Sequence, residues 1–481
     1  MTERSPEHAE VELKFDLDGA TAAQIGRHNL LSGAGRRTQR QESIYFDTAN
    51  GDVRNAGYSL RVRRVGKRFI QTAKVNGRAA GLFDRREWEA RVGRLAPDPQ
   101  TLKQTPLGEI DGLLQSVAQY EVNRTLWQVD RRTGRVEVSL DCGTVSAGGP
   151  AVPFYELELE LKGAKKARLF EIAKELGRDM PLQIGVLSKA DRGLMVAQGS
   201  WGHAQRAAAI AINKDMAAGQ VFVATIHECI RHLRLNHAAL VAERDPEALH
   251  QARVALRRLR TSFALFRPAI RRNMTEPFRR DLHELGLPLG EARNLDVFLA
   301  RRAGQLGVSD RRRLRLAQAE AYDHVLEALN GHHCRDYLLE LLEWTASDAW
   351  QKRIACVPIG KSASKWLDAF WDKIFEKRKE LLILDDKQLH RLRIRIKRMR
   401  YAVEFLAPLY TKKHVGKFIS SIGEIQDALG ALNDDIVSRQ IASDLGVGEP
   451  CKGSRNDRSR KLKSVAASMS RLKRVGRVWR H

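Results

Sequence analysis

Two hydrophobic rhythms divide the chain. Up to about residue 200, apolar and polar positions alternate, the period of a strand with two unlike faces. The alternation predicts strands over 9–16, 42–47, 58–65, 68–75, 84–91, 121–130, 135–141 and 153–162. Asn50-Gly51, Asn76-Gly77 and Gly148-Gly149-Pro150 supply turns between them. Helices are expected over 20–30, 106–117 and 165–177. After residue 215 the strand pattern gives way to long i, i+3, i+4, i+7 segments, interrupted at Pro246, Pro268, Pro288 and Pro408. The boundary falls in a Gly/Ala/Ser/Gln-rich stretch around Gln198–Gly202. The expected fold class is therefore α+β, with a β-rich module over 1–200 and an all-α module over 212–470.

The strands order their charges. In β-structure, side chains two apart share a face, about 6.8 Å apart along the strand. Glu10, Glu12 and Lys14 thus oppose Val11, Leu13 and Phe15, and Arg61 and Arg63 alternate with Leu60 and Val62. Thr72 shares a face with Lys74, Arg85 with Glu87 and Glu89, and Glu137 with Asp141. Glu156, Glu158 and Glu160 alternate with Leu157, Leu159 and Leu161. Rows of like charge repel one another, a cost that an ordinary wet sheet face has no reason to bear. A closed barrel with a charged interior accounts for both faces. Clustered carboxylates call for a cation, and all-oxygen ligands favour Mg²⁺ or Mn²⁺. Converging Arg and Lys call for an anion, most simply a chain of phosphates.

These residues also carry a family resemblance. Glu10-x-Glu12-x-Lys14 resembles the ExExK signature of the CYTH, or triphosphate tunnel metalloenzyme, superfamily. Tyr45-Phe46-Asp47-Thr48, Gly57-Tyr58-Ser59-Leu60-Arg61-Val62-Arg63, Thr72-Ala73-Lys74 and Arg86-Glu87-Trp88-Glu89 follow in that family's order. So do Arg124, Asp141-Cys142-Gly143, Glu156 to Glu160 and Ser188-Lys189. The resemblance implies an eight-stranded antiparallel tunnel, flanked by helices, that acts on triphosphates with a divalent metal. It assigns Glu10, Glu12, Asp141, Glu156 and Glu158 to the metal. It assigns Lys14, Arg61, Arg63, Lys74, Arg124 and Lys189 to phosphates. Glu87 and Glu89 stay open between serving a second metal or water and pairing with neighbouring Arg residues.

The helical half repeats itself at an offset of 140 residues. His250-Gln251-Ala252-Arg253-Val254-Ala255-Leu256-Arg257-Arg258-Leu259-Arg260 aligns with His390 to Arg400. Repeats near 245–296 and 385–436 predict two duplicated helical bundles. His250, Arg253, Arg257 and Arg260 fall on one helical face, and His390, Arg393, Lys397 and Arg400 form its counterpart. A basic face that occurs twice predicts a polyanion site. The two repeats resemble the CHAD family, which implies that those eight residues bind inorganic polyphosphate. At Asn294 this chain departs from the family's usual acidic residue, while Asp434 occupies the matching place in the second repeat. The tail beyond Cys451, rich in Lys, Arg and Ser, is expected to be a weakly ordered basic extension.

Charge sharpens the division. The 481 residues carry 83 Lys and Arg against 58 Asp and Glu, a formal +25. Residues 1–204 hold 31 basic and 26 acidic side chains, so most of the excess lies in the helical half. That half should seek a polyanion. Nucleic acid is disfavoured, because no aromatic stacking platform accompanies the basic faces. Cys142, Cys229, Cys334, Cys356 and Cys451 form no CxxC pair, which argues against a disulfide framework or a Cys-based zinc site. Met1 to Glu10 lacks the apolar core of a signal peptide, and no apolar run reaches the roughly 18–20 residues of a membrane span. The expectation is a cytoplasmic protein, with polyphosphate granules as a further location. Its expected activity is Mg²⁺- or Mn²⁺-dependent hydrolysis of inorganic triphosphate to pyrophosphate and phosphate. The alternatives are an adenylyl cyclase, a thiamine triphosphatase, or mainly a polyphosphate-binding scaffold.

Overall fold

A computed structural model describes residues 7–480 apart from 78, 132–133, 271, 348–356, 377 and 449–454. Cys356 and Cys451 lie outside the described residues. The chain forms two compact units, one of Met1–His203 with Asn330–Trp350, the other of Ala204–Leu329 with Gln351–His481.

The first unit is the expected closed antiparallel barrel. Its strands are β1 (Glu7–Asp16), β2 (Arg36–Asp47), β3 (Tyr58–Val65), β4 (Arg68–Val75), β5 (Leu82–Val92), β6 (Gln115–Arg131), β7 (Gly134–Ser146) and β8 (Val152–Lys162). They run in the order β5-β4-β3-β2-β6-β7-β8-β1, and β1 closes the ring by pairing with β5, Glu10 opposite Arg85. A two-residue strand, β9 (Gln183–Ile184), adds to β1. Closure buries both faces of a strand: Leu157 and Leu159 of β8 are fully buried on one side, and Glu156 and Glu158 are nearly so on the other.

Short helices connect the strands: α1 (Gly19–Gln24), α2 (Asn29–Ser32), α3 (Asp52–Asn55) and α4 (Pro99–Leu102). Asp47 secures α3, its Oδ1 accepting from the amides of Thr48 (2.8 Å) and Val53 (2.9 Å). After β8 come α5 (Ala167–Asp179), packed on β1, β7 and β8, and α6 (Lys189–Ala197). The helix expected over 106–117 does not form. Pro106, Gly108 and Gly112 interrupt it, Gly112 at φ 146°, and β6 begins at Gln115.

The second unit is helical. It contains α7 (Ala218–Glu243), α8 (Pro246–Leu265), α9 (Arg272–Glu284), α10 (Gly286–Arg302) and most of α11 (Val308–Asn330). Helices Ile359–Phe375, Asp386–Leu406, Lys412–Leu445 and Arg455–Val475 follow. The repeat helices α8 and Asp386–Leu406 pack together, joined by the ion pair of Arg258 and Glu404 (2.6 Å). His227, His232 and His237 lie along α7, where His232 and His237 are buried. The tail corrects the sequence reading, since Arg455–Val475 is a helix packed on Lys412–Leu445. Its Leu462, Val465, Met469 and Leu472 are buried at i, i+3, i+7, i+10, a stripe that the surrounding Lys, Arg and Ser conceal.

One helix defies the sequence division. The chain leaves the second unit at Leu329, forms α12 (His332–Ala346) within the first, and returns after Trp350.

Candidate active site

The barrel encloses a cavity of about 350 Å³. Register sends Glu10, Glu12 and Lys14 of β1, Arg61 and Arg63 of β3, and Lys74 of β4 into it. Arg85, Glu87 and Glu89 of β5, Arg124 of β6 and Glu158 of β8 join them. Lys189 enters from the first turn of α6, which is capped by Ser188 and Asp191.

Three carboxylates converge. Asp141, Glu156 and Glu158 are buried, each with an oxygen within 4.8 Å of the others. The Lys189 ammonium lies 2.8 Å from Asp141, 2.5 Å from Glu156 and 3.0 Å from Glu158. Lys14 pairs with Glu158 and sits 3.4 Å from Glu12 and 3.5 Å from Glu156. Glu10 and Glu12, the other two expected metal ligands, are held by cations: Glu10 by Lys74 at 2.6 Å, Glu12 by Arg85 at 2.6 Å. Glu87 lies 2.7 Å from Lys74, and Glu89 accepts from Thr72 Oγ1 at 3.0 Å beside Arg61 and Arg63.

Burial opposes every charge here, and the partners decide which survive. Burial works to raise Glu10, yet Lys74, Arg85 and Lys14 bring it down to about 2. Burial also works against Glu158, but Lys14, Lys189 and Arg124 hold it well below the carboxylate range. Glu12 goes up, through burial and the charges of Glu10 and Glu158. Arg63 falls to about 10 because it is buried beside Arg61 and Arg124. Glu160, at the cavity wall, rises to about 7 through burial with Glu10 and Glu137 nearby. Lys14, Arg61, Arg85, Arg124 and Lys189 go up instead, because neighbouring acidic groups outweigh their burial, so the cavity keeps a crowd of cations that can face an anion.

Sequence reasoning put Arg85 on the charged face without giving it a role, and did not name Arg192. Arg85 shares the face of Glu87 and Glu89, and the register of β5 was its signal. Arg192 stands three residues after Lys189 on α6 and reaches Glu156 at 3.0 Å.

The helical unit holds a second cavity, of about 560 Å³. His250, Arg253 and Arg257 line it together with His390, Arg393 and Lys397. The remaining two predicted residues lie elsewhere. Arg260 donates to the Leu282 carbonyl at 3.0 Å, and Arg400 pairs with Glu404 at 2.8 Å. Arg293 and Arg301 of α10 line the same cavity, Arg301 2.7 Å from Asp434. Burial together with Arg257, Arg393 and Arg253 pushes Lys397 down to about 6. His250 falls to about 4 through burial beside Arg293 and Arg257.

Comparisons with known proteins follow the same division. Residues 8–194 match the CYTH domain, and residues 224–443 match the CHAD domain. The chain is 28% identical over 166 residues to the inorganic triphosphatase of Haemophilus influenzae. That stretch is 32% of this chain and 45% of the relative, so the chain spans less than half of the relative's length. Among solved structures, the CHAD domain from the plant Ricinus communis aligns with 57% of this chain and 93% of its own, at 23% identity and TM-score 0.46. A putative adenylyl cyclase from Hippeastrum, described as revealing a dominant triphosphatase activity, aligns with 40% and 96% at 17% identity and TM-score 0.32.

Proposed function

We propose that this chain, which joins a CYTH domain to a CHAD domain, hydrolyses inorganic triphosphate in its barrel and binds polyphosphate in its helical unit. One observation carries the reading: Lys14, Arg61, Arg63, Lys74, Arg124 and Lys189 border one cavity together with Glu10, Glu12 and Glu158, and Asp141 and Glu156 are buried beside Glu158. Tyr45 is the one aromatic among the described lining residues, so little there would recognise a base or a thiazole ring. The similarity to an inorganic triphosphatase supports the same substrate class.

The residues fit a divalent cation. Asp141, Glu156 and Glu158 offer hard, buried oxygens within 4.8 Å of one another, the donor type Mg²⁺ and Mn²⁺ take. Such an ion, when bound, would polarise a phosphoryl oxygen and lower the pKa of its water. Lys14, Lys189 and Arg124, released from those carboxylates, would turn to phosphate oxygens and offset their charge. Arg61 and Arg63 on the opposite wall would hold the chain in line for attack by water. Lys74 would steady the charge that develops on the departing pyrophosphate. In the helical cavity, cations from both repeats would share one polyphosphate chain.

Phosphate release from tripolyphosphate, pyrophosphate, ATP and long-chain polyphosphate, with and without Mg²⁺ or Mn²⁺, tests the reading. Metal-dependent cleavage of tripolyphosphate above the others is expected. A preference for ATP, or release of cyclic AMP, would overturn it.

A further inference from the structure

We propose that Leu342 of α12 is a positioning residue for Lys14, acting through the backbone of Gly81. It lies outside the tunnel, 180 residues beyond the end of β8, the barrel's last strand.

Helix α12 is built into the barrel unit as a core element. Its Leu338, Leu339, Leu341 and Leu342 are buried, and it packs on α5 and β9. Polar contacts fix its placement. Lys174 of α5 donates to Glu343 at 2.5 Å, and Arg335 donates to the Met180 carbonyl at 3.2 Å.

Leu342 meets Gly81, the residue before β5. A Cβ on Gly81 would fall 2.9 Å from Leu342 Cδ1 and 2.8 Å from Ile184 Cγ2. With φ at +71°, Gly81 is a position that suits glycine on both counts. The Gly81 carbonyl accepts from the Lys14 amide at 3.0 Å, and its own amide donates to the Gly185 carbonyl at 3.0 Å. The Gly185 amide donates to the Lys14 carbonyl at 2.9 Å, closing a backbone circuit around Lys14. Both backbone polar groups of Lys14 therefore end on two glycines, and Leu342 presses on one of them. The Lys14 ammonium, at the other end of the side chain, sits among Glu12, Glu156 and Glu158. Removing Leu342 leaves space into which Gly81 can relax, and the Lys14 backbone moves with it. A shift of about 1 Å in a positioned group is enough to cost up to about a hundredfold in rate.

The role of Lys14 towards phosphate rests on the function proposed above, so the test has two readouts. In the full chain, Leu342→Ala should speed hydrogen exchange of the Lys14 amide, whatever the substrate is. It should also weaken tripolyphosphate binding, measured by calorimetry without metal, by about three- to tenfold. On a Lys14→Ala background, Leu342→Ala should cause no further loss of binding. In the chain with Lys14 intact, Leu342→Met should keep the wild-type value. Unchanged exchange at Lys14 overturns the proposal. So does an equal loss of binding in the wild-type and Lys14→Ala backgrounds. Should Leu342→Ala melt below the assay temperature, Leu342→Val enters the same cycle and is read by the same outcomes. Normal coupling by exchange in a protein that binds no tripolyphosphate would defeat the function reading alone.

Discussion

Arg124 donates Nε and Nη2 to the two oxygens of Asp141, each at 2.6 Å. The same guanidinium reaches Glu158 at 2.7 Å, so one planar fork orders two of the three converging carboxylates. Lysine offers a point charge without that fork. Arg124→Lys should therefore lower kcat/KM for tripolyphosphate by roughly ten- to a hundredfold, about 1.4–2.7 kcal/mol of transition-state stabilisation. Steady-state phosphate release checks it, and a wild-type value would remove Arg124 from the site.

Glu158→Gln keeps the size of the side chain and removes its charge. Turnover should fall by at least about a hundredfold, while polyphosphate binding by the helical cavity stays at the wild-type level. Chelation of divalent ions should abolish turnover in the wild type, and restoring Mg²⁺ or Mn²⁺ should recover it. Full activity in chelator would sink the metal assignment.

In the helical cavity the expected pH dependence has a definite sign. Burial, then Arg257, Arg393 and Arg253, push Lys397 down to about 6. A bound anion favours the ammonium and raises that pKa, so binding takes up a proton at pH values between the two. Polyphosphate affinity should rise as pH falls from about 8 to about 6, by at most about tenfold per unit, and level off below. Lys397→Arg should flatten the profile. Calorimetry in buffers of different ionisation enthalpy reads the proton uptake directly.

Geometry separates local charge from net charge. Arg253→Glu with Arg393→Glu should weaken polyphosphate binding by about a hundredfold or more and flatten its salt dependence. Arg260→Glu with Arg400→Glu changes net charge equally, outside the cavity, and should cost much less. Equal losses would favour diffuse attraction over a built site.

The C-terminal helix makes a stability prediction. Leu472 is fully buried, so Leu472→Ala should destabilise the helical unit by about 2–5 kcal/mol. Lys463→Ala, on the exposed side of the same helix, should change it by less than about 0.5 kcal/mol. Thermal melting distinguishes the two.

The strand faces were legible because a two-residue period leaves no choice of side: once Glu10 faces inward, Glu12 and Lys14 follow. The closed barrel was legible for a related reason, since ordered charge on one face and apolar side chains on the other both need cover. Partner choice was not legible. Glu10 and Asp141 look alike in sequence, but Glu10 meets Lys74 while Asp141 meets Arg124 and Lys189. In the helical unit the shared face of α8 placed Arg253 and Arg257 in the cavity, but Arg260, one turn on, turns to the Leu282 carbonyl. The last helix was missed because composition outweighed period. Nothing local to α12 reveals its destination, since an apolar stripe specifies that a helix is buried and leaves open against what.

The placement of α12 has a consequence for biosynthesis. All eight barrel strands leave the ribosome before residue 204, yet the helix that completes their unit ends only at Ala346. At roughly 5–20 residues per second, about 140 further residues take roughly 7–30 s. Throughout that interval the surface of α5 and β9 that α12 packs against lacks that cover. The barrel of a nascent chain therefore reaches its final packing only after the whole of the first helical repeat, near 245–296, has been made.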